Sequence, residues 1–189
     1  SGRESETPDN VAIVFVSSRD GDSELYRMPA TGGAAQRLTA FHRDDWQPAP
    51  SPDRKTIAFV SDREGRPRIF VMAPDGTGQR RLTERGAKPE DGEEIDPVWS
   101  PDGSSLAYVV QDAGKSHVRV RELASGRERI LTPEGVRDSE PSFSPDGTWI
   151  VLVRTRGHDD ADLWALPTTG GAGFRVTTGG GAESMPRWR

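Results

Sequence analysis

The tripeptide Ser-Pro-Asp recurs at Ser51, Ser100 and Ser144, heading SPDRKTIAFVS, SPDGSSLAYVV and SPDGTWIVLVR. A spacing of 44 to 49 residues is that of one supersecondary unit repeated along a chain, and such a unit buries its apolar face only against its neighbours. Each copy is preceded by a proline (Pro48, Pro97, Pro141) and closes on Leu82-Thr83, Leu131-Thr132 or Val176-Thr177. A further copy, TPDNVAIVFVSSRDG, starts at Thr7 and closes on Leu38-Thr39, lacking the Pro-x-aromatic opening. Residues 184–189 (SMPRWR) supply that opening in the register of Pro186 and Trp188, which makes four repeats cut at one phase. Strand 185–189 is therefore expected to pair with 11–16, so that the N- and C-terminal strands share one blade. Ser1-Gly2 reads as a cloning scar, leaving 1–6 as tag or linker and 7–189 as one domain.

Within a unit, runs of β-branched and aromatic residues are bounded by Gly, Pro, Asp and Ser, the pattern of short strands. In the turn SPDG, proline presets φ, aspartate accepts backbone N–H groups and glycine takes φ > 0. The second segment of each unit is apolar at successive positions, as in Ile57-Ala58-Phe59-Val60, so both its faces require cover. A one-sided antiparallel sheet would alternate with polar residues. Four-stranded sheets packed face to face around an axis cover both sides, which is the β-propeller solution. The expected fold is all-β, four four-stranded blades. Leu, Ile, Val and Phe make up just under a fifth of the chain, a share that leans toward disorder; the repeat decides otherwise.

Pro-x-Trp/Phe-Ser-Pro-Asp-Gly, then Ile-Ala-Phe-Val-Ser-Asp-Arg-x-Gly, then Ile-Phe-Val-Met and Arg-Arg-Leu-Thr resembles the TolB-type propeller repeat, with residues 48–83 a close match. The resemblance implies a propeller, a protein-binding role and a periplasmic or extracytoplasmic setting. It departs from TolB in two ways: TolB carries six blades behind a separate α/β domain, and Arg54 stands here where the turn glycine is expected.

Net charge of −5 with no Lys/Arg cluster lacks the footprint of a nucleic-acid binder. The longest apolar runs fall far short of the roughly 20 residues of a membrane-spanning helix. Zero cysteines exclude disulfides, thiolate zinc sites and cysteine nucleophiles. No GxSxG, HExxH or phosphate-loop glycine motif occurs.

Three residues before each repeat proline stand Asp45, Glu94, Asp138 and Glu183, acidic in every copy. Either each caps its own loop, or together they ring one mouth of the channel and take a cation or a basic peptide group. Trp46, where the other copies have Ile95, Ser139 and Ser184, is either a binding anchor at that rim or partly buried under its loop. Residues 84–96 (ERGAKPEDGEEID) form a five-residue insertion on the same rim. His158, Asp159, Asp160 and Asp162 read as a solvated loop rather than a metal site. Trp99, Phe143 and Trp188, sharing a position with Pro50, are expected in the core between blades.

The expected function is a monomeric, non-enzymatic module that binds a protein or basic peptide. No cofactor is expected beyond a divalent cation in the channel. The rival readings are a regulatory or substrate-gating domain of a larger peptidase or receptor, and a small hydrolase or lyase working in the channel.

Overall fold

Each Ser-Pro-Asp turn closes through one set of short bonds in the computed structural model, which describes residues 11–83, 92–133, 135–156, 160–178 and 181–188. The hydroxyls of Ser51, Ser100 and Ser144 donate to Asp53, Asp102 and Asp146 at 2.7, 2.6 and 2.5 Å. They accept the N–H groups of Thr56, Ser105 and Trp149 at 2.9–3.0 Å. Those serine hydroxyls, with the N–H groups of Lys55, Ser104 and Thr148, hold the three aspartates below the ordinary carboxylate range. The chain reverses at φ +60 to +73 on Arg54, Gly103 and Gly147, so arginine here adopts the left-handed turn that glycine takes in the other copies.

The turns join strands into four antiparallel sheets. The first blade holds β1 (Ala12–Ser17), β2 (Glu24–Pro29) and β3 (Gln36–Arg37). The second holds β4 (Asp45–Pro50), β5 (Ile57–Ser61), β6 (Arg68–Met72) and β7 (Arg80–Arg81). The third holds β8 (Glu93–Trp99), β9 (Ser105–Asp112), β10 (Lys115–Glu122) and β11 (Glu128–Ile130). The fourth holds β12 (Asp138–Phe143), β13 (Trp149–Arg156), β14 (Asp160–Pro167) and β15 (Phe174–Arg175). No helix occurs among the described residues.

Both faces of the second strands are buried, as their unbroken apolar runs require. Ile57 and Phe59 pack with Leu25 and Leu38 of the preceding blade, whereas Ala58 and Val60 pack with Leu106, Tyr108 and Val110 of the following one. Phe143 is buried between blades 3 and 4. Trp99 is half-buried against the second cluster and donates its indole N–H to the Ala49 carbonyl at 2.7 Å. The fold is the expected all-β propeller architecture, its core divided among the joints between blades.

One expectation is corrected. The sheet of β1, β2 and β3 has three strands among the described residues, and no ladder pairs the segment 183–188 with β1; the segment stands beside blade 4 as β4 stands beside blade 1. The N–H of Glu183 donates to the Ala161 carbonyl at 3.0 Å, as Asp45 does to Ser23 and Glu94 to Pro67. The Trp188 indole donates to the Ser142 carbonyl at 3.1 Å, repeating the Trp99 bond. The segment thus takes the inner-strand position next to blade 4. Strand packing runs from β1 to β4, β4 to β8 and β8 to β12.

Candidate binding site at the axial mouth

The inner strands β4, β8 and β12 each slip register against their partners, between Trp46 and Ala49, Ile95 and Val98, and Ser139 and Ser142. Gln47-Pro48, Asp96-Pro97 and Glu140-Pro141 fill these bulges. Proline has no N–H to offer a ladder, so it fits where pairing breaks. The residue before it turns left-handed: φ is +50 at Gln47, +53 at Asp96, +52 at Glu140 and again +50 at Met185, before Pro186. Side chains that would follow the pleat swing out of it.

What they meet is the next blade. The Asp96 N–H donates to Gln47 Oε1 at 2.9 Å, and Gln47 Nε2 donates back to the Asp96 carboxylate. The Glu140 N–H donates to the Asp96 carboxylate in turn, and the Met185 N–H donates to Glu140 Oε2. Each such side chain clasps the backbone one blade on, forming a relay around a cavity of about 440 Å³ lined by Gln47, Asp96, Glu140, Met185 and Arg187 with the bulge prolines. Burial pushes the Asp96 carboxyl up from its ordinary value, and the neighbouring Glu140 charge adds to this; the Gln47 amide and the Glu140 N–H pull it back. Chemically the mouth offers acceptors, two of them carboxylates, beside aliphatic proline walls.

The four acidic residues expected at this mouth stand elsewhere. Asp45 and Asp138 are fully buried. Arg63 Nη2 donates to Asp45 at 2.8 Å, and Arg154 grips Asp138 with two bonds of 2.7 and 2.8 Å. Glu94, also buried, accepts the Ile69 N–H at 3.0 Å and the Thr83 hydroxyl at 2.8 Å, both from the preceding blade. Glu183 is exposed. The expected ring of carboxylates is therefore corrected: three of them tie strands and blades together. A carboxylate offered several donors within the fold is better satisfied there than facing three like charges. Burial also pushes the Asp45 carboxyl up, against the pull of Ser61 and Arg63.

Trp46 is half-buried against the cluster of Val60 and Tyr108 rather than free at the rim. Residues 84–91 of the insertion, with His158 and Asp159, lie outside the described residues. Asp162 is buried and paired with Arg175. No group of three or more metal-ligating side chains occurs among the described residues. Gln47, Asp96 and Glu140 escaped the sequence reading, although their fixed place before the repeat proline was a signal open to it.

Among curated proteins the chain is 40% identical over 65 residues to "Tol-Pal system protein TolB" of Francisella tularensis subsp. mediasiatica, covering 34% of this chain and 15% of that one. It is 30% identical over 99 residues to "Uncharacterized peptidase YuxL" of Bacillus subtilis, covering 49% of this chain and 15% of that one. The chain thus spans about 15% of the length of these relatives. In structure it superposes on TolB from Acinetobacter baumannii with a TM-score of 0.79 and 28% identity, over 96% of this chain and 44% of that one. With residues 5–189 matching the family described as TolB beta propeller domain, the chain belongs to that family.

Proposed function

We propose that the domain is a non-enzymatic protein- or peptide-binding module whose ligand places a basic group in the axial mouth. The observation that carries this reading is the set of left-handed residues before proline around the cavity. A non-glycine residue held there costs of order 1–3 kcal/mol, and such strain gathers at functional sites. Asp96 and Glu140 give a lysine, arginine or N-terminal amine charge-assisted bonds, and the prolines flank its aliphatic stem. A net charge of −5 draws such a ligand in. A divalent cation between the two carboxylates is the other occupant to be tested. Resemblance to the Tol-Pal system protein supports an extracytoplasmic setting.

The test is calorimetry of a basic peptide library, and of a divalent cation, against the wild-type chain and a D96N/E140Q variant whose melting is retained. Wild-type binding is expected to weaken as salt rises, and the variant to lose most of it. Unchanged affinity in a folded variant overturns the assignment of the site. The second reading, a gating or regulatory domain of a larger peptidase, is favoured by the stretch shared with YuxL. The third, a hydrolase or lyase in the channel, is met by an activity screen of the same protein.

A further inference from the structure

Blades 3 and 4 meet over a gap that blades 2 and 3 fill. In the joint between blades 2 and 3, Trp99 and Leu123 pack against the cluster of Ala58, Leu106 and Tyr108. Phe143 stands at the repeat position of Trp99, and Thr168 at that of Leu123: the N–H groups of Leu123 and Thr168 donate to the counterpart carbonyls of Ser104 and Thr148 at 3.0 and 2.9 Å. Two smaller side chains thus replace an indole and a leucine. The turns themselves stay in contact, with Pro101 Cδ 3.5 Å from where a Cβ on Gly147 would stand. The space left is a second cavity of about 440 Å³, lined by Asp102, Ser104, Arg129, Phe143, Asp146 and Thr168 among others. All its lining residues fall within 100–168, and none of them lines the axial mouth. Its walls come wholly from one internal joint.

The charges in this cavity are only partly used by the fold. Arg129, on β11, donates Nη2 to the Thr168 carbonyl of the next blade, and its Nε is buried without a partner. No carboxylate pairs with it among the described residues; Glu122, which feels its charge, is held by Arg127 at 2.6 Å. A guanidinium N–H shut away from water without an acceptor is costly. Asp102 and Asp146, held below the ordinary carboxylate range by the serine hydroxyls of their turns, are ionised at neutral pH. Asp102 Oδ2 accepts one bond, from Ser104 Oγ at 2.9 Å, and Asp146 Oδ2 one, from Thr148 Oγ1 at 2.8 Å. A carboxylate oxygen accepts two, so each aspartate keeps an acceptor in reserve.

We infer that this cavity binds a free α-amino acid, Arg129 taking its carboxylate and Asp102 with Asp146 its ammonium group. A simple anion would meet the two aspartates, and a simple cation the guanidinium. A molecule carrying both charges on one carbon gains charge-assisted bonds from both sets. The volume falls within the range of small-molecule sites, and buried Val120 and Phe143 give it an apolar wall. Recognition rests on the two groups that all amino acids share.

Isothermal titration calorimetry of the full chain with glycine, L-alanine and L-serine is expected to give a single-site isotherm. Acetate and methylammonium, each carrying one of the two charges, are expected to bind far more weakly. Arg129→Gln is expected to lose about 10- to 100-fold in affinity, the worth of hydrogen bonds to a charged group. F143W/T168L rebuilds the joint with the side chains that fill the joint between blades 2 and 3; it is expected to melt at or above the wild-type temperature and to bind no amino acid. Each variant reads the site by itself, one through charge and the other through volume. The D96N/E140Q variant of the axial mouth is expected to bind amino acids as the wild type does, so failure at one site is distinguished from failure at the other. No saturable heat at millimolar amino acid, acetate binding as tightly as glycine, or full affinity in folded Arg129→Gln or F143W/T168L overturns the inference.

Discussion

Replacing Phe59 with alanine tests whether the joints between blades hold the fold. Phe59 is fully buried, its ring centroid lies 5.9 Å from that of Phe70, and the Arg63 guanidinium stands 5.4 Å from it. Burying a phenylalanine contributes roughly 1.5–3 kcal/mol. The void left by truncation in a site that cannot collapse raises the total loss to about 3–5 kcal/mol. At ~2–4 °C per kcal/mol for a domain of this size, Phe59→Ala should lower Tm by roughly 6–20 °C. Phe15 is the same residue in the same repeat position, stacked on Tyr26 at 5.9 Å but half-buried. Its truncation removes about half the transfer free energy, ~1 kcal/mol, and water fills the open side instead of a void. Differential scanning calorimetry of both variants should therefore separate them by several degrees. Equal drops would mean that Phe15 is covered as fully as Phe59, and the division of the core among the joints would be wrong.

Two further outcomes follow from the turns and the buried acids. Asp53, Asp102 and Asp146 have depressed pKa values, so the stability they contribute is present above the unfolded value of about 3.9 and lost as pH falls through their folded values. Asp45 and Asp96 are raised, so their ionised forms oppose folding above those raised values and the opposition is relieved as pH falls. Melting temperature should climb from neutral to mildly acidic pH and then drop below about pH 4; a steady fall from pH 7, or a climb untouched by Asp96→Asn, would refute this. Ser100→Ala strips a buried hydroxyl that accepts one bond and donates another and should cost about 1–3 kcal/mol, whereas Ser104→Ala in the exposed turn should stay within ~0.5. Urea titrations giving equal losses would contradict the turn geometry.

The blades were legible because their signals are local. Unbroken apolar runs such as Ile57 to Val60 demand cover on two sides, and Ser-Pro-Asp writes its turn in three residues. The direction of a side chain at the inner strand was not legible. Asp45 and Gln47 are two apart, so simple alternation puts both on one face. The bulge between them changes that, and it depends on a left-handed residue before proline, against the local preference of that position. Only the clasp with the next blade maintains it. Closure was illegible for a related reason: residues 184–188 carry the motif of an inner strand, but the angle at which blades succeed one another is set by packing at every joint and not by the motif.

The indole bonds of Trp99 and Trp188 run between the same two repeat positions, to the carbonyls of Ala49 and Ser142. A joint built this way carries no record of which blade it serves. For the gene, this favours the whole repeat as the unit of change: a copied repeat that opens with Trp meets the same backbone acceptor, whereas Pro50 and Phe143, at that position in the other copies, have no indole N–H to offer. A change of half a repeat meets no such acceptor. Chains built this way change blade number most readily in steps of one whole repeat.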